Sequence, residues 1–393
     1  MLEYLKKKYF EIVASLIDPI VARALALSWV MRLAIVLIPL GLWGGWEYRE
    51  QLKNHLALAS RCVAILQSRD GVIPLPAAAR NQAIDIAARL RAMSAADANL
   101  IAAGQLTGWS AAQALSAISS EERYAQAQKL FAHFIREKRI PTCNCWAELN
   151  NEDETKSWLF ISGWVLRSLA QIGESATVGE VESILRVQNA DGSWGPSAIF
   201  ESTEHSSTYT TSWLVIGLSS QLKADLLPPE VAALVKASLP RALTWLLQKR
   251  SPGARWKPYP NQANSSISGS VSALVLHTLH TAKADDLNDI YLQWLDNIPK
   301  IAIPASVGEN NYVEIRKTQT VQIDHFVQLT MPWMLIATLD AFQYGSLLQR
   351  ARALLWIEAL LSHESMRNAD TEQNNWWRAE LSIALNYLTS KLQ

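Results

Sequence analysis

From residue 55 onward, apolar positions recur at helical intervals in segments separated by short polar turns, and no alternating pattern of strand type competes with them. The clearest unit runs from Gln188 to Leu218. A helix ends at Gln188, Asp191-Gly192 turns the chain, and Trp194 plugs the turn. The Ser/Thr-rich stretch from Thr208 to Ser212 then caps a second helix whose apolar residues follow. Copies stand around Trp245–Gln248, Trp256 and Ser268–Leu279, and around Trp146 and Thr155–Leu166. A decayed copy opens the domain: Gln67, Asp70 and Gly71 keep the spacing of Gln188, Asp191 and Gly192, with Ile73 where Trp would stand. Beyond residue 320 the pattern fades, yet Asp324-His325 before Met331-Pro332-Trp333 and Asn374-Asn375 before Trp376-Trp377 mark two further helix starts. The plugs Trp146, Trp194 and Trp256 lie roughly 50–60 residues apart, which suits two helices plus loops per repeat. The expected fold class is all-α, with the repeat domain over residues 55–393.

Residues 1–54 read differently. Residues 5–27 have helical apolar spacing behind Lys6-Lys7-Lys8, and residues 33–46 carry no charge. The uncharged run alone is too short to span a bilayer at a rise of ~1.5 Å per residue. Extending it back to Ala24 reaches that length and places Arg32 inside, where it must snorkel. Trp29, Trp43 and Trp46 sit where interfacial aromatics are expected. Residues 24–46 are therefore expected to attach the protein to a membrane, spanning it or lying in its interface. The excess of Lys and Arg before the run puts the N-terminus in the cytoplasm if it spans.

Composition narrows the partners. Lys+Arg and Asp+Glu balance at 36 each, so nothing calls for nucleic acid. The chain holds 16 Trp, more than its Tyr or its Phe, which implies a recurring structural role for indole. The three cysteines (Cys62, Cys143 and Cys145) make no disulfide framework, and Cys143 and Cys145 stand too close in sequence for an ordinary bridge.

The string Gln188-Asn-Ala-Asp-Gly-Ser-Trp194-Gly195 resembles the Gln-Trp repeat of squalene-hopene and oxidosqualene cyclases. The Ser/Thr-rich starts of Trp- and Leu-containing helices resemble the inner helices of those enzymes and of protein prenyltransferase β-subunits. The resemblance implies an (α/α) toroid, in which outer helices surround a ring of inner helices and a Trp-rich central cavity. That scaffold serves several chemistries, so function has to be read from the site.

The cyclase resemblance directs attention to Asn151-Glu152-Asp153-Glu154, ahead of an inner helix. It implies a protonated acid at Asp153, while Asn151 and Glu154 depart from the D-x-D-D pattern. Acids in a helix's first turn are also favoured by the macrodipole alone. Glu154, together with His205 and Asp324 on loops expected near the cavity mouth, completes the candidate acid–base set. Trp158, Glu204, Tyr209, Trp213, Tyr259, His325 and Trp333 are the candidate substrate-binding residues, their indoles able to face a carbocation. No D-x-C zinc pattern, aspartate-rich magnesium motif or phosphate loop is present, so no metal or cofactor is expected. Two functions follow: a non-catalytic, membrane-associated module that binds a lipid, peptide or protein, or an isoprenoid- or lipid-processing enzyme using Asp153.

Overall fold

The computed structural model describes residues 48–147, 157–197, 205–263, 265–284, 287–298, 308–317, 320–363, 366 and 375–392. Asp153, Glu154, Glu204 and the segment 24–46 lie outside them. Among the described residues no helix is long and apolar enough to cross a membrane.

The helices are α1 (Tyr48–Gln67), α2 (Ala77–Ala96), α3 (Gly108–Ile118), α4 (Ala125–Glu137), α5 (Leu159–Gln171), α6 (Val178–Arg186) and α7 (Thr208–Lys223). They continue with α8 (Pro229–Gln248), α9 (Gly269–Thr281), α10 (Asn288–Asn297), α11 (Thr330–Phe342), α12 (Leu347–Leu361) and α13 (Asn375–Ser390). Helices α3, α5, α7, α9, α11 and α13 each pack on the next, and α13 packs back on α3. This closes a six-membered ring. Every residue of α5 except Gln171 is buried, whereas α2 buries only one stripe that includes Ala83, Ile86, Ala87 and Leu90. That contrast separates enclosed inner helices from half-exposed outer ones. The fold is therefore an α/α toroid-like ring of six hairpins, with α1 added outside against α12 through the Arg61–Glu358 ion pair.

The Trp plugs work alike in three hairpins. The indole Nε1–H groups of Trp146, Trp194 and Trp256 donate to the carbonyls of Ile135, Ile184 and Leu246 at 2.8, 2.8 and 2.7 Å. Each acceptor stands two residues before the end of its outer helix, where carbonyls lack an intrahelical partner. The carbonyls of the same three tryptophans accept from the backbone N–H of Trp158, Ser207 and Ser268, the N-cap residues of α5, α7 and α9. One indole thus fixes the end of an outer helix to the start of an inner one. The rest of the motif has equally concrete partners. Asp191 Oδ1 accepts from the Ser193 backbone N–H at 3.0 Å, and Gln188 Nε2 donates to the Gly192 carbonyl at 2.8 Å. Gly192 has a left-handed φ of 95°, and a Cβ there would meet the Arg241 carbonyl at 2.6 Å.

Closest approach in the ring is between α5 and α7. A Cβ on Gly163 would stand 2.5 Å from the Trp213 backbone, and one on Gly217 would stand 2.5 Å from the Gly163 carbonyl.

Three sequence expectations are corrected. β1 (Gly308–Lys317) and β2 (Thr320–Leu329) pair antiparallel, so the regular structure of the described residues is helical apart from this pair. Val321 and Ile323, then Val327 and Leu329, do alternate, but His325 in an apolar slot and Phe326 in a polar one interrupt the period. Asp324 and His325 accordingly stand in β2, opposite Val313 and Tyr312, and α11 begins after the strand. Second, Cys143 and Cys145 are bridged. Asn144 takes a left-handed φ of 51° and folds the two Cα atoms to 5.1 Å, within bridging range. Third, the Gln67–Ile73 turn has Gly71 at a φ of 81° and buries Ile73, but it leads into an outer helix, with the Ile73 N–H donating to the Lys391 carbonyl.

The bridge makes a measurable demand. Mass-resolved alkylation should label no thiol in the native protein, only Cys62 after denaturation, and all three after reduction, because Cys62 is buried and the others are paired. Labelling at Cys143 in the unreduced, denatured chain would remove the bridge.

Candidate functional site

The ring places its inner-helix residues in layers. The second residues of α3, α5 and α7 are Trp109, Phe160 and Tyr209, and they form one edge-to-face run. Their centroids are 5.3 Å apart from Trp109 to Phe160 and 5.2 Å from Phe160 to Tyr209. The sixth residues of α3, α5, α7 and α13 are Gln113, Trp164, Trp213 and Glu380. Contacts at matching depth mean that the inner helices run in one direction, with the aromatic run toward their N-terminal ends.

At the second level three indoles meet. Trp164 stacks on Trp213 at 3.9 Å, and Trp333 meets them edge-on at 6.1 and 5.0 Å. Because α5 and α11 stand opposite each other in the ring, the Trp164–Trp333 contact crosses its axis. The expected Trp-rich cavity is at this depth a packed aromatic plug, since three indoles from α5, α7 and α11 are large enough to bridge the ring.

A carboxylate is enclosed beside the plug. Glu380 Oε2 accepts from Trp333 Nε1 at 2.6 Å, and its Oε1 accepts from Gln113 Nε2 at 2.7 Å. Burial raises its pKa to about 7, against the opposing pull of the two donors and the Arg167 charge. Burial lowers Arg167 to about 10, partly offset by Glu380. The Arg167 guanidinium lies 5.4 Å from the Trp164 ring centre and 6.0 Å from that of Trp213. Arg167 Nη1 and the indole nitrogens of Trp164 and Trp213 are buried without a hydrogen-bond partner among the described residues.

Nearer the C-terminal ends, Asp340 is fully enclosed. Its Oδ2 accepts from His277 Nδ1 at 2.8 Å, its Oδ1 accepts from Tyr387 Oη at 2.5 Å, and His280 Nε2 stands 3.6 Å from Oδ1. His277 also faces the Trp333 ring at 6.0 Å, so the two polar groups share one indole.

The residues expected from sequence are dispersed. Trp213, Trp333 and Tyr209 do lie in the ring core. Trp158 is a half-buried N-cap, Tyr259 is fully enclosed in the loop before α9, and His205 is half-buried just ahead of α7. Glu380, Arg167, Gln113, Asp340, His277, His280 and Tyr387 escaped sequence reasoning. Their signal was a single charged or polar side chain inside an otherwise apolar helix, as in Leu-Ile-Ala-Thr-Leu-Asp340.

No protein-family model matches the chain, and no curated protein does. Among solved structures, a family 105 glycoside hydrolase of C. acetobutylicum ATCC 824 is similar at a TM-score of 0.36 and 13% identity, covering 61% of this chain and 75% of that one. The toroid-like fold rests on the ring closure above.

Proposed function

We propose that the chain is a membrane-associated toroid that binds an apolar, lipid-like ligand at the N-terminal end of its ring, without transforming it. The observation carrying this reading is the plug: Trp164, Trp213 and Trp333 fill the axis where a cyclase-like enzyme needs space for substrate. Above the plug, Trp109, Phe160 and Tyr209 supply an aromatic floor, and Trp109 is only half-buried. The uncharged segment 33–46 supports a location at a lipid surface.

One observation favours a second reading, an isoprenoid- or lipid-processing enzyme. Glu380 combines a pKa near 7 with indole faces nearby, as an acid that protonates an apolar substrate requires. Native mass spectrometry of the full chain from membranes, with lipidomics of the expressing cells, separates the two. Binding alone predicts a retained lipid that weakens about tenfold in Trp109→Ser, is untouched by Glu380→Gln, and leaves the cellular lipid pool unchanged. A new lipid product that Glu380→Gln abolishes would instead establish the enzyme.

A further inference from the structure

The C-terminal end of the ring holds a second group of chemistry-bearing side chains that the reading above does not use. Tyr291, on outer helix α10, is fully enclosed, and its hydroxyl has no hydrogen-bond partner among the described residues. A buried hydroxyl without a partner has lost its water and gained nothing in exchange. It lies against the His280 ring at 6.3 Å and stacks on the half-exposed Tyr344 at 4.6 Å.

The neighbouring charges are mostly positive. Lys223 and Lys391 are close enough to act on His280, and Lys283 acts on Lys223. Among the described residues, the acid acting on His280 and Tyr291 is Asp340, and both its oxygens are engaged, by His277 and Tyr387. The Lys391 ammonium lies 5.1 Å from the Tyr387 ring centre, and Lys223 donates to the Thr281 carbonyl. Cations at helix C-termini are favoured by the macrodipole without any ligand. That account covers the lysines and leaves the idle, enclosed Tyr291 hydroxyl unexplained.

We infer that Tyr291, His280, Lys223 and Lys391 form a site for an oxyanion, a phosphate or carboxylate group entering past Tyr344. The Tyr291 hydroxyl and the His280 ring supply directed donors, and the ammonium groups supply charge. His280 is 28% exposed, which leaves it reachable from solvent. Its pKa is lowered by burial, with His277, Lys391 and Lys223 adding to that and Asp340 opposing it. A bound oxyanion favours the imidazolium, so binding takes up a proton and strengthens as pH falls.

Thermal unfolding of the full chain in phosphatidylcholine nanodiscs tests the site. Inorganic phosphate at about 20 mM, against chloride at equal ionic strength, should raise Tm by about 2 °C, more at pH 6 than at pH 8. Tyr291→Phe removes only the idle hydroxyl, so it should fold at least as stably in chloride and lose the phosphate response. A second arm replaces phosphate with phosphatidic acid in the nanodisc. A Tyr291-dependent rise with phosphate alone assigns a soluble oxyanion, and one with phosphatidic acid alone assigns a lipid headgroup. No rise in either arm, or a rise that Tyr291→Phe retains, overturns the site.

Discussion

At pH 8, where Glu380 is charged, replacing it by leucine while keeping Arg167 is expected to lower the unfolding free energy by about 3–5 kcal/mol, the usual effect of stranding a buried charge. Arg167 is enclosed among indoles, and Glu380 is the acid whose charge acts on it. The leucine also leaves Trp333 Nε1 and Gln113 Nε2 without their acceptor. The double variant Glu380→Leu, Arg167→Met should recover most of the loss, because an apolar pair of similar volume replaces a buried ionic one at little net cost. Chemical unfolding of the four proteins gives the coupling directly. A single variant that loses less than about 1 kcal/mol would show that the pair is not coupled.

The same residue carries a pH signature. The pKa of Glu380 is raised on folding from 4.5 to about 7, so the folded chain holds a proton that the unfolded chain releases between those values. The associated stability is complete below about pH 4.5 and is lost as pH rises through about 7, some 3 kcal/mol at about 1.4 kcal/mol per unit. Glu380→Gln should lack that decline. Unfolding curves between pH 5 and pH 8 check it as a difference between the two proteins, which cancels the other carboxylates.

This buried pair marks the boundary of what could be read from sequence. The Gln188–Trp194 motif is legible because all its consequences are local: the indole bonds a carbonyl ten residues earlier, and the Asp-Gly turn is closed by its own side chain. Helix starts at Ser207 and Ser268 are legible for the same reason, since each cap hydroxyl bonds an N–H three residues on. Glu380 meets Gln113 only because the sixth hairpin packs against the first, and it acts on Arg167 of the second hairpin only across the closed ring, so no periodicity within one helix encodes the group. The Trp plug follows the same rule. Trp164, Trp213 and Trp333 could be assigned to inner helices, but whether they line a space or fill it depends on how nearly α5 and α7 touch. Gly163 and Gly217 decide that. The β1–β2 hairpin is hard to read because His325 and Phe326 interrupt its alternation and no turn signal such as Asn-Gly joins the strands.

Trp194→Ala is expected to be the most damaging single change in the repeat scaffold, at about 3–5 kcal/mol. The indole is wholly enclosed and packs among Leu159, Val181, Ile184 and Leu214, so truncation opens a cavity between two hairpins. It also removes the bond to the Ile184 carbonyl, one of the α6 C-terminal acceptors that the helix itself cannot satisfy. Trp194→Phe separates the two contributions. It keeps most of the apolar volume and loses the Nε1–H, so about 1–3 kcal/mol should remain, mostly the stranded carbonyl. The loss should also be local at first. Trp194 holds the α6 end and the Ser207 cap together, and hydrogen exchange should quicken across α6 and the first turn of α7 before the rest of the ring. Uniform acceleration through α11 and α13 would mean instead that the ring unfolds as one unit, with each plug serving closure of the whole circle and not its own hairpin.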